Sequence, residues 1–298
     1  MFATSFLVKM IKKISILLII AVSFLSFKVD KNAYQIFDQN GKKTSYDKFV
    51  KEIAEADIIL FGELHNNPII HWLQYEVTKD IFEQYNDFLA LGAEMYEADN
   101  QLIINEYLGG HLDYKSLEKE AKLWPNDNTD YRPLLDFARE NQLTFVATNI
   151  PRRYAAMVHN SGFRAFNDLN DEAKKYIAPV PFEYDEKLPG YANMIKMMGS
   201  HGGKKVENMA KAQASKDATM AHFILKNWTK EKTFIHYNGT YHSMNYEGIV
   251  WYLKKANPDL KVAVINSVEQ KDIAELEEEN KSTAHYIIAV PETMTKTY

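Results

Sequence analysis

The sequence predicts an α/β fold in which helices cover both faces of a mostly parallel central sheet, with a helical insertion at about residues 162–203. Short apolar runs alternate with amphipathic stretches along the chain, as in proteins where a helix follows each strand. Hydrophobic residues make up 46% and charged residues 25% of the sequence, a composition typical of globular domains. A length of 298 residues is sufficient for one large domain.

Six apolar runs are predicted as core strands because each is short and is bounded by polar or turn residues. They are Asp57–Phe61, Phe88–Glu94, Leu143–Thr148, Thr233–Tyr237, Lys261–Ile265 and Tyr286–Val290. A further run, Ala33–Phe37, precedes the turn pair Asn40 and Gly41 and is predicted as an additional edge strand.

The stretches between the strands are predicted as helices, and Pro68 stands at a helix start, where its missing N–H costs little. The predicted helices are Tyr46–Glu55, Pro68–Tyr85, Ala98–Tyr107, Tyr114–Lys122, Tyr131–Asn141, Pro151–His159, Val206–Trp228 and Met244–Lys255. No long strand fits residues 162–203, which contain several Pro and Gly residues. We predict an irregular helical insertion or lid there, and segments of this kind often carry function.

The N-terminus predicts export. Lys9, Lys12 and Lys13 precede an apolar run that ends at Phe27, which is the pattern of a secretory signal. The run is shorter than the roughly 20 apolar residues that a membrane-spanning helix needs. We expect residues 1–28 to be a signal peptide or an N-terminal membrane anchor, and residues 33–298 to form a single α/β domain.

Charge and cysteine content exclude several classes of function. The formal net charge of −5 lacks the basic footprint of nucleic-acid-binding proteins, so no nucleic-acid partner is expected. The sequence contains no cysteine, which excludes disulfides, thiolate metal sites, a cysteine nucleophile and a cysteine-anchored lipid.

Polar residues gather at the ends of four predicted strands. The carboxyl ends of parallel strands share one edge of the sheet, and ligands bind at that edge in open α/β folds. We call this edge the rim. A purely structural edge has no reason to collect Glu and His side chains, although each residue alone also fits a simple solvated turn. The predicted rim residues are Glu63, His65, Glu94, Asn149, Arg152 and His242.

The same Gly-x-x-His spacing occurs twice, at Gly62 and at Gly239, each time directly after an apolar strand. Two imidazoles with one or two carboxylates suit Zn, Mn, Fe or Co. A spare carboxylate can act as general base on a metal-bound water. The candidate metal ligands are Glu63, His65, Glu94 and His242, and the candidate catalytic carboxylates are Glu63, Glu94 and Asp217.

Polar residues also fall on apolar helix stripes. Gln213 and Asp217 lie in the middle of the apolar stripe of the helix predicted over Val206–Trp228. A buried carboxylate is costly unless it is paired. We therefore expect Asp217 to reach Arg152, His242 or another rim group, with a structural salt bridge as the alternative.

Three further side chains are candidates near the site. Gln74 lies within the apolar stripe of the helix Pro68–Tyr85, where it is expected to hydrogen-bond the site or a loop. Tyr154 and Tyr191 are candidate axial ligands for a ferric haem, because tyrosine can ligate haem iron.

Together these motifs resemble the ChaN family of haem-binding, iron-regulated proteins. The resemblance covers roughly residues 45–265 in the right order. Gly62–Pro68 resembles the first signature of the family and Glu94–Gln101 the second. The later resemblances are at Asp130–Ala138, Asn149–Arg152, Ala212–Ala221 and Gly239–His242.

The resemblance implies two functions for one rim, because the ChaN family is similar to the Tiki/TraB group and the erythromycin-esterase-like enzymes, which include metal-dependent hydrolases. One function is haem binding for haem and iron acquisition at the cell envelope. The alternative is hydrolysis assisted by a divalent transition metal. In the first case the residues expected to contact the cofactor are His65, Asn149, Arg152, Tyr154, Gln213 and His242.

The resemblance also implies a cellular setting. ChaN proteins are often lipoproteins, and this chain has no cysteine to acylate, so any anchor must be its N-terminal apolar segment. We expect an exported protein that is periplasmic or membrane-associated. Its expected partners are haem or another small-molecule ligand, outer-membrane haem or iron uptake components, and a second copy of itself.

Overall fold

A computed structural model describes residues 31–85, 88–197 and 204–298 of the chain. Its strands form one sheet in the order β1-β7-β6-β2-β5-β3-β4. β1 pairs antiparallel with β7, and the other five neighbouring pairs are parallel, which confirms the predicted sheet. The strands are β1 (Gln35–Asp38), β2 (Ile58–Glu63), β3 (Leu89–Glu97), β4 (Thr144–Asn149), β5 (Thr233–Gly239), β6 (Val262–Gln270) and β7 (Tyr286–Pro291).

The helices follow the predicted positions, with most ends shifted by a few residues. In the described part of the chain they are α1 (Tyr46–Ile53), α2 (Pro68–Tyr85), α3 (Gln101–Leu108), α4 (Tyr114–Glu120), α5 (Arg132–Glu140), α6 (Arg152–Ser161), α7 (Asp171–Lys174), α8 (Pro189–Met197), α9 (Lys204–Asn227) and α10 (Ile249–Ala256). A π-helical turn, Asp127–Tyr131, precedes α5.

Helices cover both faces of the sheet because alternate side chains of each strand point to opposite faces. Ile59 and Phe61 of β2 lie in a core cluster with residues of α1, α2 and α5. Ile58 and Leu60 lie in a second cluster with residues of α9 and α10. All six residues of β2 are buried, as expected for a central parallel strand covered on both faces.

Three strands are longer than predicted by two residues or more. β3 continues to Glu97 because a register shift after Ala93 allows Glu97 to pair with Asn149 of β4. β6 continues to Gln270 because its second half pairs with β7 alone. β5 reaches Gly239, which pairs with Glu63 of β2. The apolar pattern ends before the hydrogen-bonded ladder does, since the last strand residues are polar. Glu94 consequently lies inside β3 and not at its end.

The predicted insertion contains a 3-10 turn (Gly162–Asp168), α7 and α8. Residues 198–203 lie outside the described residues, and so does the predicted signal peptide or anchor at residues 1–28. Residues 33–298 form one compact unit. Within the described ranges, no helix is both long and apolar enough to cross a membrane.

Candidate functional site

The four strands with polar ends are neighbours in the sheet, in the order β2-β5-β3-β4, so their carboxyl ends meet. They form the floor of a cleft of about 770 Å³. The predicted site residues that line the cleft are Glu63, His65, Glu94, Asn149, Arg152, Gln213 and His242. Asp217 is buried directly behind His242, whereas Tyr154 does not line the cleft.

Glu63 is a buried carboxylate with every oxygen engaged. It accepts hydrogen bonds from the Tyr131 hydroxyl (2.8 Å) and the Gln74 amide (2.7 Å), and its Oε1 lies 2.8 Å from His65 Nδ1. Burial raises the pKa of Glu63, but the hydrogen bond to His65 and the positive charge of His71 outweigh it, so the net shift is downward. Glu63 is therefore an anion that holds His65 in place.

His65 presents one ring nitrogen to the cleft. Its Nδ1 faces Glu63, and its Nε2 lies 2.7 Å from the point where a β-carbon on Gly239 would lie, so only glycine fits there. The ring contacts Trp124 with 4.9 Å between centroids. Burial lowers the pKa of His65, but its hydrogen bond to the Glu63 anion outweighs burial and the net shift is upward. This is the geometry of an acid–base imidazole oriented by a carboxylate.

A second chain of polar contacts runs through His242. The Tyr191 hydroxyl donates to Asp217 Oδ2 (2.7 Å), Asp217 Oδ1 bonds His242 Nδ1, and His242 Nε2 lies 3.0 Å from Glu94 Oε1. Glu94 Oε2 accepts from the Gly239 N–H at 2.8 Å. The imidazole thus lies between two buried carboxylates.

The two carboxylates keep His242 protonated. Burial lowers its pKa, but the charges of Glu94 and Asp217 outweigh burial and raise the pKa of His242 to about 9. Burial raises the pKa of Glu94, and the His242 cation outweighs it in turn, leaving that pKa well below its usual range. The Gln213 amide nitrogen lies 3.0 Å from His242 Nδ1. This chain is an ion-paired support for the cleft floor.

Hydrogen bonds hold the turn after β2 in place, and they come from residues that the sequence analysis did not identify as site residues. Asn126 donates to the His65 carbonyl oxygen at 2.9 Å, and Tyr131 donates to Glu63. His71 of α2 is buried, with Nε2 3.2 Å from the same His65 carbonyl. Asn126 and Tyr131 both precede α5, although Tyr131 was predicted as the first residue of that helix.

Arg152 does not reach Asp217. Its Nε lies 4.0 Å from Glu97 Oε1, and its side chain is 77% exposed beside the cleft. Asn149 is the register partner of Glu97 at the β3–β4 end of the cleft, and its Oδ1 is buried without a hydrogen-bond partner in the described residues.

Neither predicted axial tyrosine presents a free hydroxyl to the cleft. The Tyr154 hydroxyl accepts from Arg153, whose guanidinium lies over the Tyr154 ring. The Tyr191 hydroxyl is committed to Asp217. Among the described residues, the tyrosines that line the cleft are Tyr241, which is 83% exposed, and Tyr298, which is 64% exposed. Tyr241 occupies one of the two positions between Gly239 and His242 that the Gly-x-x-His pattern leaves unspecified, so the pattern did not mark it as a site residue.

The four candidate metal ligands separate into two bonded pairs, Glu63 with His65 and Glu94 with His242. Within the described ranges, no group of three or more His, Asp or Glu side chains is arranged to hold a metal ion. The two pairs are close, since His65 Nε2 and Glu94 Oε2 lie 2.7 and 3.5 Å from the same point beside Gly239.

Comparison with known proteins identifies the family. The family model described as haem-binding uptake, Tiki superfamily, ChaN matches residues 49–253. The chain belongs to the ChaN family. The matched range contains every predicted site residue of this ChaN-family domain, as well as Tyr241.

One solved ChaN structure shares the fold. ChaN of Campylobacter jejuni, described by its cofacial haem binding, aligns with a TM-score of 0.65 and 15% identity, covering 86% of this chain and 96% of that one. An erythromycin esterase in its open conformation aligns with a TM-score of only 0.46 and 11% identity, over 87% of this chain and 83% of that one.

A curated relative matches a smaller part of the chain. The chloroplastic protein RETICULATA-RELATED 5 of Arabidopsis thaliana is 24% identical over 136 residues, which are 44% of this chain. The chain spans about a fifth of the length of that relative, since the match covers 18% of it.

Proposed function

We propose that this protein is an exported haem-binding protein that serves haem and iron acquisition at the cell envelope. Haem binds in the cleft, and Tyr241 is its iron ligand. The observation that carries this proposal is the exposed Tyr241 phenol at a large open cleft in a ChaN-family domain. The Tyr241 side chain is largely exposed where it lines the cleft, so its hydroxyl oxygen is accessible to ferric iron.

The cleft has the size and chemistry that haem requires. Its volume of about 770 Å³ lies within the usual range for small-molecule sites. Leu64, Trp124 and Val268 offer apolar surface to a porphyrin ring. Lys216 and Arg152 line the same cleft, and cations of this kind pair with carboxylates such as the haem propionates. The residues present therefore fit the cofactor.

A haemin titration of the purified domain tests this proposal. For the wild type we expect a shifted Soret band that saturates at a defined ratio of haemin to protein. For Tyr241→Phe we expect an altered spectrum and a dissociation constant at least about tenfold higher, because the variant lacks the ligating oxygen. Tyr154→Phe is the matched control, since Tyr154 lies off the cleft, and it should bind as the wild type does. Equal spectra and affinities for wild type and Tyr241→Phe would contradict the assignment.

The cellular part of the proposal rests on residues 1–28, whose basic and apolar pattern is that of a secretory signal. Outer-membrane uptake components are the proposed partners. A homodimer is proposed because C. jejuni ChaN is described by cofacial haem binding, which two facing clefts would allow. Cell fractionation tests export: the full chain is expected in the periplasm or membrane, and recovery of it only from the cytosol would contradict this part.

Hydrolysis is the second candidate function, and the Glu63–His65 pair favours it. His65 has one nitrogen fixed by a buried anion and the other facing the cleft, as a general base requires. The alternative in which Glu63, His65, Glu94 and His242 share a metal has less support, because these side chains are bonded in separate pairs.

Hydrolysis of a p-nitrophenyl ester tests this second candidate. The wild type is expected to show a rate that rises with pH through a pKa above the ordinary histidine value of about 6.5. His65→Gln should lower the rate about 100-fold or more, whereas His111→Gln, on an exposed loop, should leave it unchanged. A metal-assisted reaction would be recognised by loss of activity with a chelator and rescue by Mn, Co or Zn. Equal rates for wild type and His65→Gln would remove the candidate.

A further inference from the structure

Residues 292–298, which we name the β7 extension, cross the rim after β7 ends. The Glu292 N–H donates to the Gln270 carbonyl at the end of β6 (3.1 Å), and the Thr297 N–H donates to the Asn66 carbonyl just after β2 (2.9 Å). Since β6 and β2 follow β7 in the sheet order, the extension runs across two strand ends toward the cleft.

Side chains hold the β7 extension at this position. Lys296 forms an ion pair with Glu269 of β6, and Glu269 also accepts from the Asn67 amide at 3.2 Å. Asn67 in turn caps α2, because its Oδ1 accepts from the Ile69 N–H. The extension is therefore tied to the same turn that positions His65.

Tyr298 brings an aromatic ring to the cleft. It lines the cleft and is 64% exposed, so its ring is available for contact. Partial burial and then the negative charges of Glu63 and Asp130 raise the pKa of Tyr298. Tyrosine in such a position supplies a large contact area with a polar tip.

The side of the cleft that contains Tyr298 lies beyond the residues that the family model matches. The ChaN match ends at residue 253, whereas this side of the cleft is built by Ser267, Val268, Glu269, Asn280 and Tyr298. One side of the cleft is therefore made by residues outside the matched range, and selectivity among ligands can differ there.

We propose that the β7 extension is a ligand-binding wall of the cleft, in which the Tyr298 ring packs against a flat aromatic ligand of porphyrin size and slows its release. This inference rests on the proposed haem binding. The ring provides the contact, and the Lys296–Glu269 pair and the Thr297–Asn66 bond keep it in place.

The rate of haemin transfer to excess apomyoglobin tests the inference. Tyr298→Ala is expected to release haemin about tenfold faster than the wild type, which is the scale of one lost aromatic contact. Tyr298→Phe keeps the ring and should release haemin near the wild-type rate. Thr295→Ala is the matched control, because Thr295 is exposed on the same extension. Release from Tyr298→Ala at the wild-type rate would overturn the inference.

A second measurement works without haem, so that failure of the inference is distinguishable from failure of the proposed function. Trp124 lines the cleft, and Trp72, Trp228 and Trp251 can be replaced by Phe to leave it as the one reporter. Deletion of residues 294–298 is expected to raise acrylamide quenching of Trp124 about twofold. If haemin does not bind the wild type but the deletion raises quenching, only the proposed haem binding is contradicted. Unchanged quenching after the deletion would contradict the proposal that the β7 extension forms a wall of the cleft.

Discussion

At the scale of single residues, the site depends on close approach between two turns. His65 and Gly239 come from separate Gly-x-x-His motifs, and they meet because Glu63 and Gly239 are register partners on adjacent strands. Gly62 is needed for a similar reason, since a β-carbon there would lie 2.7 Å from the Ile265 carbonyl. The glycines of the repeated Gly-x-x-His motif are therefore needed for close packing, and its histidines supply the chemistry of the site.

Gly239→Ala tests this close approach. The added carbon would overlap the His65 ring, which is held by Glu63 and Trp124, so the ring must move. We expect a loss of about 1–3 kcal/mol in the free energy of unfolding, the usual cost of overpacking, with shifted His65 resonances in the NMR spectrum. Gly109→Ala is the control, because its nearest side chain, His111, is exposed. Equal stability of both variants and an unshifted His65 would contradict this view.

The positions of site residues were predictable from the sequence only where a pattern marked them. Glu63, His65, Glu94 and His242 stand beside apolar runs, and Asp217 stands on an apolar stripe that demanded a partner. Tyr241 sits in a short turn where no periodicity distinguishes an exposed side chain from a buried one. Tyr191 was predicted as a candidate axial ligand, and in the structure its hydroxyl donates to the buried carboxylate of Asp217.

At the scale of elements, apolar periodicity predicted where helices and strands lie along the chain. It did not predict which strands lie next to each other in the sheet. The sequence places β2, β3, β4 and β5 in chain order, whereas the sheet inserts β5 between β2 and β3. That insertion brings Gly239 beside both His65 and Glu94. Which partner Asp217 takes depends on this order and on α8, because His242 follows β5 and Tyr191 belongs to α8.

The ends of elements were the least predictable part of the fold. β3, β5 and β6 extend beyond their apolar runs because hydrogen bonding to a neighbour continues after hydrophobic burial stops. Tyr131 was predicted as the first residue of a helix, but it lies in the π-helical turn Asp127–Tyr131, where its hydroxyl supports Glu63. Irregular backbone of this kind often marks functional sites.

At the scale of the whole molecule, buried charges couple the cleft to stability. His242 has a folded pKa of about 9 against an ordinary value of about 6.5, so its proton stabilises the folded state. This contribution is fully present below about pH 6.5 and is lost as the pH rises through about 9. The Glu94 pKa is lowered instead, so its contribution is lost only at acid pH below its usual titration range.

Unfolding measured between pH 6.5 and 9.5 tests this coupling. We expect the free energy of unfolding of the wild type to fall by about 3 kcal/mol more than that of His242→Gln over this range. An NMR titration of His242 in the wild type provides the control, and its midpoint should lie near pH 9. Parallel stability curves together with a midpoint near 6.5 would contradict a buried imidazolium.

We propose that haem occupies the rim cleft with its iron on Tyr241. Crystals of the domain with ferric haemin, measured at the iron absorption edge, test this proposal. We expect an anomalous iron peak in the cleft within bonding distance of the Tyr241 hydroxyl oxygen. An iron peak elsewhere on the molecule, such as beside Tyr154, would contradict it.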